Sequence, residues 1–236
     1  MSTSRPIALS ETAASEEDWG GSISRESLSE QAYQGVRDAL MHGKLRPGQK
    51  LQLRPLSKRF GISATPMREA LLRLVSKEAL TLDARGTVVV PQLFTSQLQE
   101  IRDLRMDLEG RCAASAAQKA TDAEIAALEQ IHANIIEQHQ SGGDLLQAVH
   151  LNTEFHLKLC SMARLPITLE IVEGLWMRCG PILSHLYDRG SPFSGTHPHE
   201  QVIHALKSGD ANEAEQAIRY DIVHGGKGLF EATVDG

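Results

Sequence analysis

Residues 56–71 read LSKRFGISATPMREAL, and this stretch decides the fold of the N-terminal third of the chain. Gly61 is predicted to end a short helix, because glycine readily takes the left-handed conformation that closes a helix C-terminus. A longer helix is predicted to follow, capped by Ser63 or Thr65 and with Pro66 preset at its first position. Two helices joined by so short a turn form a helix-turn-helix, whose second helix can enter the major groove of DNA.

The sequence around this stretch completes a small domain. A helix is predicted over residues 27–41, because apolar residues recur there at spacings of three and four, and residues 55–60 form the second helix. After the third helix, residues 80–82 and 87–91 are short β-prone runs on either side of Arg85 and Gly86, which predicts a hairpin. Three helices followed by a β-hairpin are the arrangement of a winged helix-turn-helix.

The remainder of the chain is predicted to be an all-α antiparallel helical bundle. From Thr95 onward the sequence is rich in Ala, Leu and Glu, and helix boundaries are marked by a capping box at residues 121–124, a Gly142-Gly143 break and Pro166. The predicted helices are residues 95–119, 122–139, 144–161, 166–187 with a bend near Gly180-Pro181, 198–207 and 211–224.

The fold is therefore predicted to be mainly α, with a winged helix-turn-helix of three helices plus a β-hairpin at residues 25–92 and a helical bundle at residues 93–236. Residues 1–24 are rich in Ser, Glu and Ala without periodicity, which predicts a disordered tail.

Charge is spread unevenly between the two predicted domains. The whole chain carries −6, yet from Arg25 to Gln92 twelve Lys and Arg outnumber six Asp and Glu, so this region carries +6 and the remainder −12. A basic module joined to an acidic one is typical of a polyanion-binding domain fused to a domain of another kind, because phosphate contacts need Lys and Arg.

Other classes of protein are disfavoured by what the sequence contains. Cys112, Cys160 and Cys179 lie far apart, which favours neither a disulfide framework nor a thiolate zinc site. No stretch has the apolar core of a signal peptide or eighteen consecutive apolar residues. We expect a cytoplasmic protein with buried free cysteines and no membrane partner.

Several motifs, in order along the chain, resemble those of a known family. Residues 45–48 (LRPG) and 56–71 resemble the signature of the GntR transcription regulators. The second half resembles the helical effector domain, of FCD type, found in the FadR-like subgroup, through LRMDLE at residues 104–109, NTEFH at 152–156, and the run from His199 through Val202-Ile203 to ALKSGD at 205–210. The resemblance covers about residues 28–224 and implies a ligand-responsive, DNA-binding homodimer.

The resemblance implies which residues contact DNA. Arg68 in the first turn of the third helix can reach a guanine edge, and Thr65 can bind phosphate at the helix N-terminus. Ala64 departs from the family, which usually has arginine there, and this departure puts one DNA contact in doubt. The implied DNA-binding residues are Arg54, Ala64, Thr65, Arg68, Arg85 and Gly86.

The resemblance also implies a divalent metal site in the helical domain. Relatives commonly place one Asp and three His around the ion, and the matching positions here are Asn152, His156, His199 and Asp221. Two His and one carboxylate suit zinc, nickel or manganese, with Asn as a weaker fourth ligand. Two alternatives stay open, that His224 replaces Asp221 and that the site has lost its ion.

Arg105 matches a position where the family often has an arginine facing the cavity. A guanidinium suits a carboxylate effector, but an ion pair with Glu109, four residues later on the same helix, explains Arg105 equally well.

The function predicted is a transcription repressor, not an enzyme, that binds a short inverted-repeat operator and responds to a small organic acid. One alternative is a metal-dependent helical enzyme, but only residues 129–132 match the Glu-x-x-His pattern that such enzymes carry twice. The other is an architectural DNA-binding protein without an effector.

Overall fold

A computed structural model describes residues 28–141, 144–187 and 197–225. The predicted tail at residues 1–24 lies outside the described residues. Within them the helices are α1 (Leu28–Met41), α2 (Leu53–Phe60), α3 (Ala64–Ser76), α4 (Thr95–Lys119), α5 (Asp122–Ser141), α6 (Leu145–Met162), α7 (Pro166–Tyr187), α8 (Pro198–Ser208) and α9 (Ala211–Gly225), and the strands are β1 (Lys50–Leu51), β2 (Thr81–Leu82) and β3 (Val88–Val89).

The predicted helix-turn-helix is formed by α2 and α3. Gly61 follows α2 with φ of 66°, and its N–H donates to the carbonyl groups of Lys58 and Ser57. Ser63 is the N-cap of α3, so Thr65 is not the cap, and Pro66 is the third residue of the helix and not its first. This position costs no hydrogen bond, because N–H groups in the first turn of a helix have no partner within it.

The predicted hairpin is present, with a third strand that the sequence did not predict. β3 lies between β1 and β2 and is antiparallel to both, so Val88 aligns with Leu51 on one side and Leu82 on the other. A strand of two residues has no measurable alternation of polar and apolar side chains, and β1 is recognisable only from its pairing. In the wing turn, the Asp83 carboxylate accepts hydrogen bonds from the N–H groups of Arg85 and Thr87.

The helical domain is built around α4, which contacts α6, α7, α8 and α9. The predicted boundaries agree with the observed ones to within two residues, and Pro181 lies inside α7. All three cysteines are buried and free. Within the described part of the chain, no helix is both long enough and apolar enough to cross a bilayer.

The winged helix packs directly on the helical domain through α1 and α7. A Cβ added to Gly180 of α7 would lie 2.3 Å from the Leu40 carbonyl oxygen, which shows how closely the two helix backbones approach. Arg37 of α1 forms an ion pair with Glu173 of α7, with 2.7 Å between Nη2 and Oε1. Thr153 of α6 donates a hydrogen bond to the Met41 carbonyl at 3.2 Å. The end of α1 is therefore held by two helices of the other domain.

Candidate DNA interface and candidate metal centre

The six residues expected at DNA are all exposed and belong to three neighbouring elements. Arg54 lies on α2, Ala64, Thr65 and Arg68 lie at the start of α3, and Arg85 and Gly86 form the wing turn. Arg68 and Gly86 line one groove between α3 and the sheet. Gly86 has φ of 76°, a conformation that favours glycine, and a Cβ there would meet nothing within 4 Å.

Ion pairing separates the basic residues of the winged helix into two groups. Arg37, Lys50, Arg73 and Lys77 each form an ion pair with a carboxylate. Within the described ranges, no carboxylate pairs with the other exposed cations of α2, α3 and the wing turn, which are Arg54, Lys58, Arg59, Arg68 and Arg85. The positive charge left for a phosphate backbone is thus concentrated on the face that carries the start of α3.

Three of the four predicted metal ligands meet inside the helical domain. His156 of α6, His199 of α8 and Asp221 of α9 are buried, and each offers one ligand atom within 4.8 Å of the others. Asp221 Oδ2 lies 3.0 Å from His156 Nε2 and 3.6 Å from His199 Nε2. Three helices far apart in sequence therefore bring two imidazoles and one carboxylate to one point.

His199 is the least satisfied member of this cluster. Its ring is 0 % exposed, and neither ring nitrogen has a hydrogen-bond partner. Phe155 stacks on it with ring centroids 3.6 Å apart and planes 2° from parallel, which fixes the plane of the imidazole. A buried polar group without a partner costs free energy, and a metal ion at this point would satisfy one of the two nitrogens.

The spacing of the three ligand atoms fits a tetrahedral ion. Zinc binds nitrogen and carboxylate oxygen at about 2.0–2.2 Å, which places neighbouring ligand atoms about 3.3–3.5 Å apart. The two measured distances of 3.0 and 3.6 Å lie on either side of this value. The donor set and its spacing therefore fit the divalent metal that the resemblance implies.

Glu109 of α4 supports the cluster and was not among the predicted site residues. It is 0 % exposed and accepts three hydrogen bonds, from His156 Nδ1 at 2.7 Å, Arg105 Nε at 2.6 Å and Trp176 Nε1 at 3.1 Å. A carboxylate on Nδ1 orients the imidazole and leaves Nε2 facing the ion, as is usual around protein-bound metals. Only its spacing from Arg105 singled out Glu109 in the sequence, as a partner in an ion pair.

The carboxylates of the site are held ionised. Burial alone would raise the pKa of Glu109, but the adjacent Arg105 guanidinium overcomes this effect and lowers the pKa to about 2. The pKa of Asp221 also lies well below its usual value, because the facing histidines outweigh its burial. Burial lowers the pKa of His199 to about 4, so its ring is neutral at pH 7, as a metal ligand must be.

The remaining candidates for the metal site are Asn152 and His224. Asn152 is half-buried one turn before His156 on α6. His224 stacks on Tyr220, and its Nδ1 donates to the Tyr220 carbonyl at 2.8 Å. Asp221, and not His224, is therefore the α9 residue that faces the two histidines.

Arg105 forms the ion pair that its spacing suggested. Besides its hydrogen bond to Glu109, the guanidinium carbon lies 3.8 Å from the centre of the Trp176 ring, and the residue is only 8 % exposed. A carboxylate effector at Arg105 would have to share the guanidinium with Glu109.

Comparison with protein families agrees with both halves of this description. Residues 28–90 match the model described as "Bacterial regulatory proteins, gntR family", and residues 100–224 match the FCD domain.

Individual relatives are regulators. The chain is 36% identical over 172 residues to the HTH-type transcriptional regulator McbR of Escherichia coli, covering 73% of this chain and 77% of that protein. It is 24% identical over 193 residues to the HTH-type transcriptional repressor RspR of the same organism, covering 81% and 84%.

Solved structures show the same fold. E. coli McbR/YncC aligns with a TM-score of 0.78 at 30% identity, covering 87% of this chain and 98% of that one. A GntR regulator from Rhodococcus sp. RHA1 aligns with a TM-score of 0.70 at 18% identity, covering 87% and 99%.

Proposed function

Because the chain belongs to the GntR family of bacterial regulatory proteins and carries an FCD domain, we propose that it is a transcription regulator whose affinity for DNA is controlled by a small organic acid bound at a divalent metal. Membership of the family makes it a DNA-binding regulator and not an enzyme. The metal, the acid, repression and a homodimer are the parts that we propose.

One observation carries the proposal for the metal: His156, His199 and Asp221 converge in a buried cluster in which both ring nitrogens of His199 lack partners. Three protein ligands leave a position open on a tetrahedral ion. A bound divalent ion would supply a Lewis-acidic position there for the carboxylate of an effector.

The charge of the ligand set would make the bound ion favour an anionic effector. Two neutral imidazoles and one carboxylate leave a divalent ion with a net positive charge, which favours an anionic ligand. Glu109 is hydrogen-bonded to both His156 and Arg105, so the Arg105 guanidinium lies next to the cluster. We propose that this guanidinium binds a second carboxylate of the acid. Asn152, one turn from His156, is proposed as a weak fourth ligand that the carboxylate of the acid displaces.

Metal analysis of the purified full-length protein, before and after chelation, tests this proposal. We expect about one zinc, nickel or manganese ion per chain, bound much more weakly in Asp221→Ala and as tightly as in the unaltered protein in His224→Ala. Dicarboxylates and tricarboxylates should raise the melting temperature only of the metal-loaded protein, because a ligand stabilises the state that binds it.

Two results would count against the proposal. A protein that binds no metal at any concentration tested would rule out the ion. A melting temperature that no acid changes, with metal present, would favour an architectural protein without an effector.

For DNA, we propose that a homodimer places two α3 helices on a short inverted repeat, as winged-helix dimers generally do. The relative named as a repressor supports repression here. Light scattering after gel filtration should give twice the mass of the chain. Expression of a reporter gene placed downstream of the operator should rise when the gene for this protein is deleted. A monomer, or a reporter that loses activity, would contradict these two parts.

A further inference from the structure

A second group of histidines lies beside the metal cluster. His132 of α5, His197 at the N-cap of α8 and His199 can each offer one nitrogen within 4.8 Å of the others. The ring centroids of His197 and His199 are 4.3 Å apart, and that of His132 lies 5.4 Å from His197 and 5.8 Å from His199. We call this group the outer cluster and the group of His156, His199 and Asp221 the inner cluster.

Burial and hydrogen bonding indicate that the outer cluster is suited to a cation. Its three histidines, His132, His197 and His199, are 8 %, 5 % and 0 % exposed. His132 Nδ1 is buried without a hydrogen-bond partner, as are both nitrogens of His199. His197 Nδ1 accepts the N–H of His199 at 3.3 Å, which fixes its ring at the start of α8. Buried imidazoles, two of which have unpartnered nitrogens, are ligands that zinc, copper and nickel prefer.

The outer cluster lies between the inner cluster and the surface. His132 Nε2 is 3.6 Å from Oε1 of Glu200, whose side chain is 52 % exposed, and both residues line one surface depression. His199 belongs to both clusters. A cation that enters beside Glu200 therefore meets His132 first and His199 last.

We propose that His132, His197 and His199 form a second metal site through which a divalent ion reaches the inner cluster. This inference rests on the proposed metal at the inner cluster. A neutral imidazole has one nitrogen with a free lone pair, so His199 can ligate only one ion at a time and the two sites are filled alternately. The inner cluster holds the ion at equilibrium, because its ligands include the buried carboxylate of Asp221 whereas those of the outer cluster are all neutral.

Zinc binding to the full-length protein, with a chromogenic chelator as competitor, separates the two sites. The variants are His132→Gln, Asp221→Asn and the two combined. His224→Gln is the matched control, because His224 lies on α9, stacks on Tyr220 and belongs to neither cluster nor to the depression beside Glu200. Circular dichroism of the chelated proteins shows that each variant is folded.

We expect His132→Gln to bind one zinc ion as tightly as the unaltered protein but to take it up about tenfold more slowly, by analogy with the roughly 10–100-fold losses of affinity or activity that changes around a metal site cause. Asp221→Asn should still bind one ion, more weakly, at the outer cluster. The combined variant should bind none, and His224→Gln should behave like the unaltered protein.

The failures of the two proposals give different results. If the combined variant binds zinc as Asp221→Asn does, and His132→Gln loads at the normal rate, the outer site is wrong while the inner site stands. If Asp221→Asn binds zinc as tightly as the unaltered protein does, and His132→Gln abolishes binding, the ion resides only in the outer cluster, which overturns both the inner site and the transfer. No zinc in any of the proteins contradicts both.

Discussion

At the scale of single residues, the helical domain depends on one buried carboxylate. Glu109 neutralises Arg105, orients His156 and accepts the Trp176 indole N–H. Removal of one partner from a buried ion pair leaves the other charge buried and uncompensated, which costs more than the pair itself contributes.

Glu109→Gln is therefore expected to lower the free energy of unfolding by about 3–5 kcal/mol. The variant Arg105→Met should also be destabilised, but the two changes combined should cost less than their sum, because neither charge is then left alone. Urea unfolding of the two single variants and the combined variant, with a chelator present, measures the coupling free energy between Arg105 and Glu109. Additive losses would show that Arg105 and Glu109 do not act as a pair.

Two arginines of α3, Arg68 and Arg73, can be used to test which face of this helix contacts DNA. Arg68 is exposed and has no carboxylate partner in the described chain, whereas Arg73 pairs with Glu30 and lies 4.0 Å from the centre of the Tyr33 ring. Arg68→Ala should weaken operator binding by about 1–3 kcal/mol and relax base preference at one position. Fluorescence anisotropy at fixed salt measures the affinity.

Arg73→Ala is the control for this measurement. It should leave operator affinity nearly unchanged, since its guanidinium is engaged within the protein. A larger loss of affinity in Arg73→Ala than in Arg68→Ala would place the DNA on the other face of α3.

At the scale of elements, the contact between α1 and α7 sets how the two domains meet. A side chain at position 180 has no room, because its Cβ would lie 2.8 Å from Met41 Cα as well as 2.3 Å from the Leu40 carbonyl oxygen. Backbone atoms cannot move aside as a flexible side chain does, so α1 and α7 would have to separate.

Gly180→Ala should destabilise the protein by about 1–3 kcal/mol, the usual cost of overpacking. Gly174→Ala on the same helix is the matched control, because a Cβ there meets nothing within 4 Å. That change should stabilise α7 by up to about 1 kcal/mol, because alanine is the better helix former. Thermal unfolding of Gly180→Ala and Gly174→Ala measures both changes in stability. Equal changes in the two variants would mean that the contact with α1 does not constrain α7.

At the scale of the whole molecule, a continuous set of contacts joins the metal cluster to the DNA-binding domain. His156 is hydrogen-bonded to Glu109, Glu109 to Trp176 of α7, and α7 packs on α1. A contact path alone does not make a switch, since a ligand shifts DNA affinity only if it binds two domain arrangements unequally. The Gly180→Ala variant addresses this point too, because separation of α1 from α7 should reduce the effect of the acid on operator affinity.

The same interface should make stability depend on pH. His42, just after α1, faces His150 of α6 with ring centroids 4.1 Å apart. Burial, with the nearby His150, lowers the pKa of His42 to about 4 from its ordinary 6.5. Between these values the unfolded chain binds more protons than the folded protein, so stability falls as pH falls from 6.5 toward 4.

His42→Gln should reduce the slope of this part of the stability curve, measured as the urea midpoint against pH, because one of several buried histidines is then removed, and the exposed His204→Gln should not. A slope in His42→Gln as steep as in the unaltered protein would assign the pH dependence to other groups.

Local sequence patterns were enough to predict the order of the elements and the class of the protein. Helix boundaries at Gly61, Asp122 and Pro166 are local effects of capping and backbone geometry, so residues near one another in sequence suffice to predict them. The resemblance of several motifs along the chain to those of a known family implied Asn152, His156, His199 and Asp221 as metal ligands.

Which of these residues lie in contact depends on how the helices pack. Glu109 became part of the site because α4 packs against α6 and α7, and the choice of Asp221 over His224 depended on which side of α9 faces the interior. Strand β1 and the outer cluster also depend on pairing between distant segments. Such contacts are fixed by the packing of whole helices, because burial of apolar faces acts across the molecule and leaves no local pattern in the sequence.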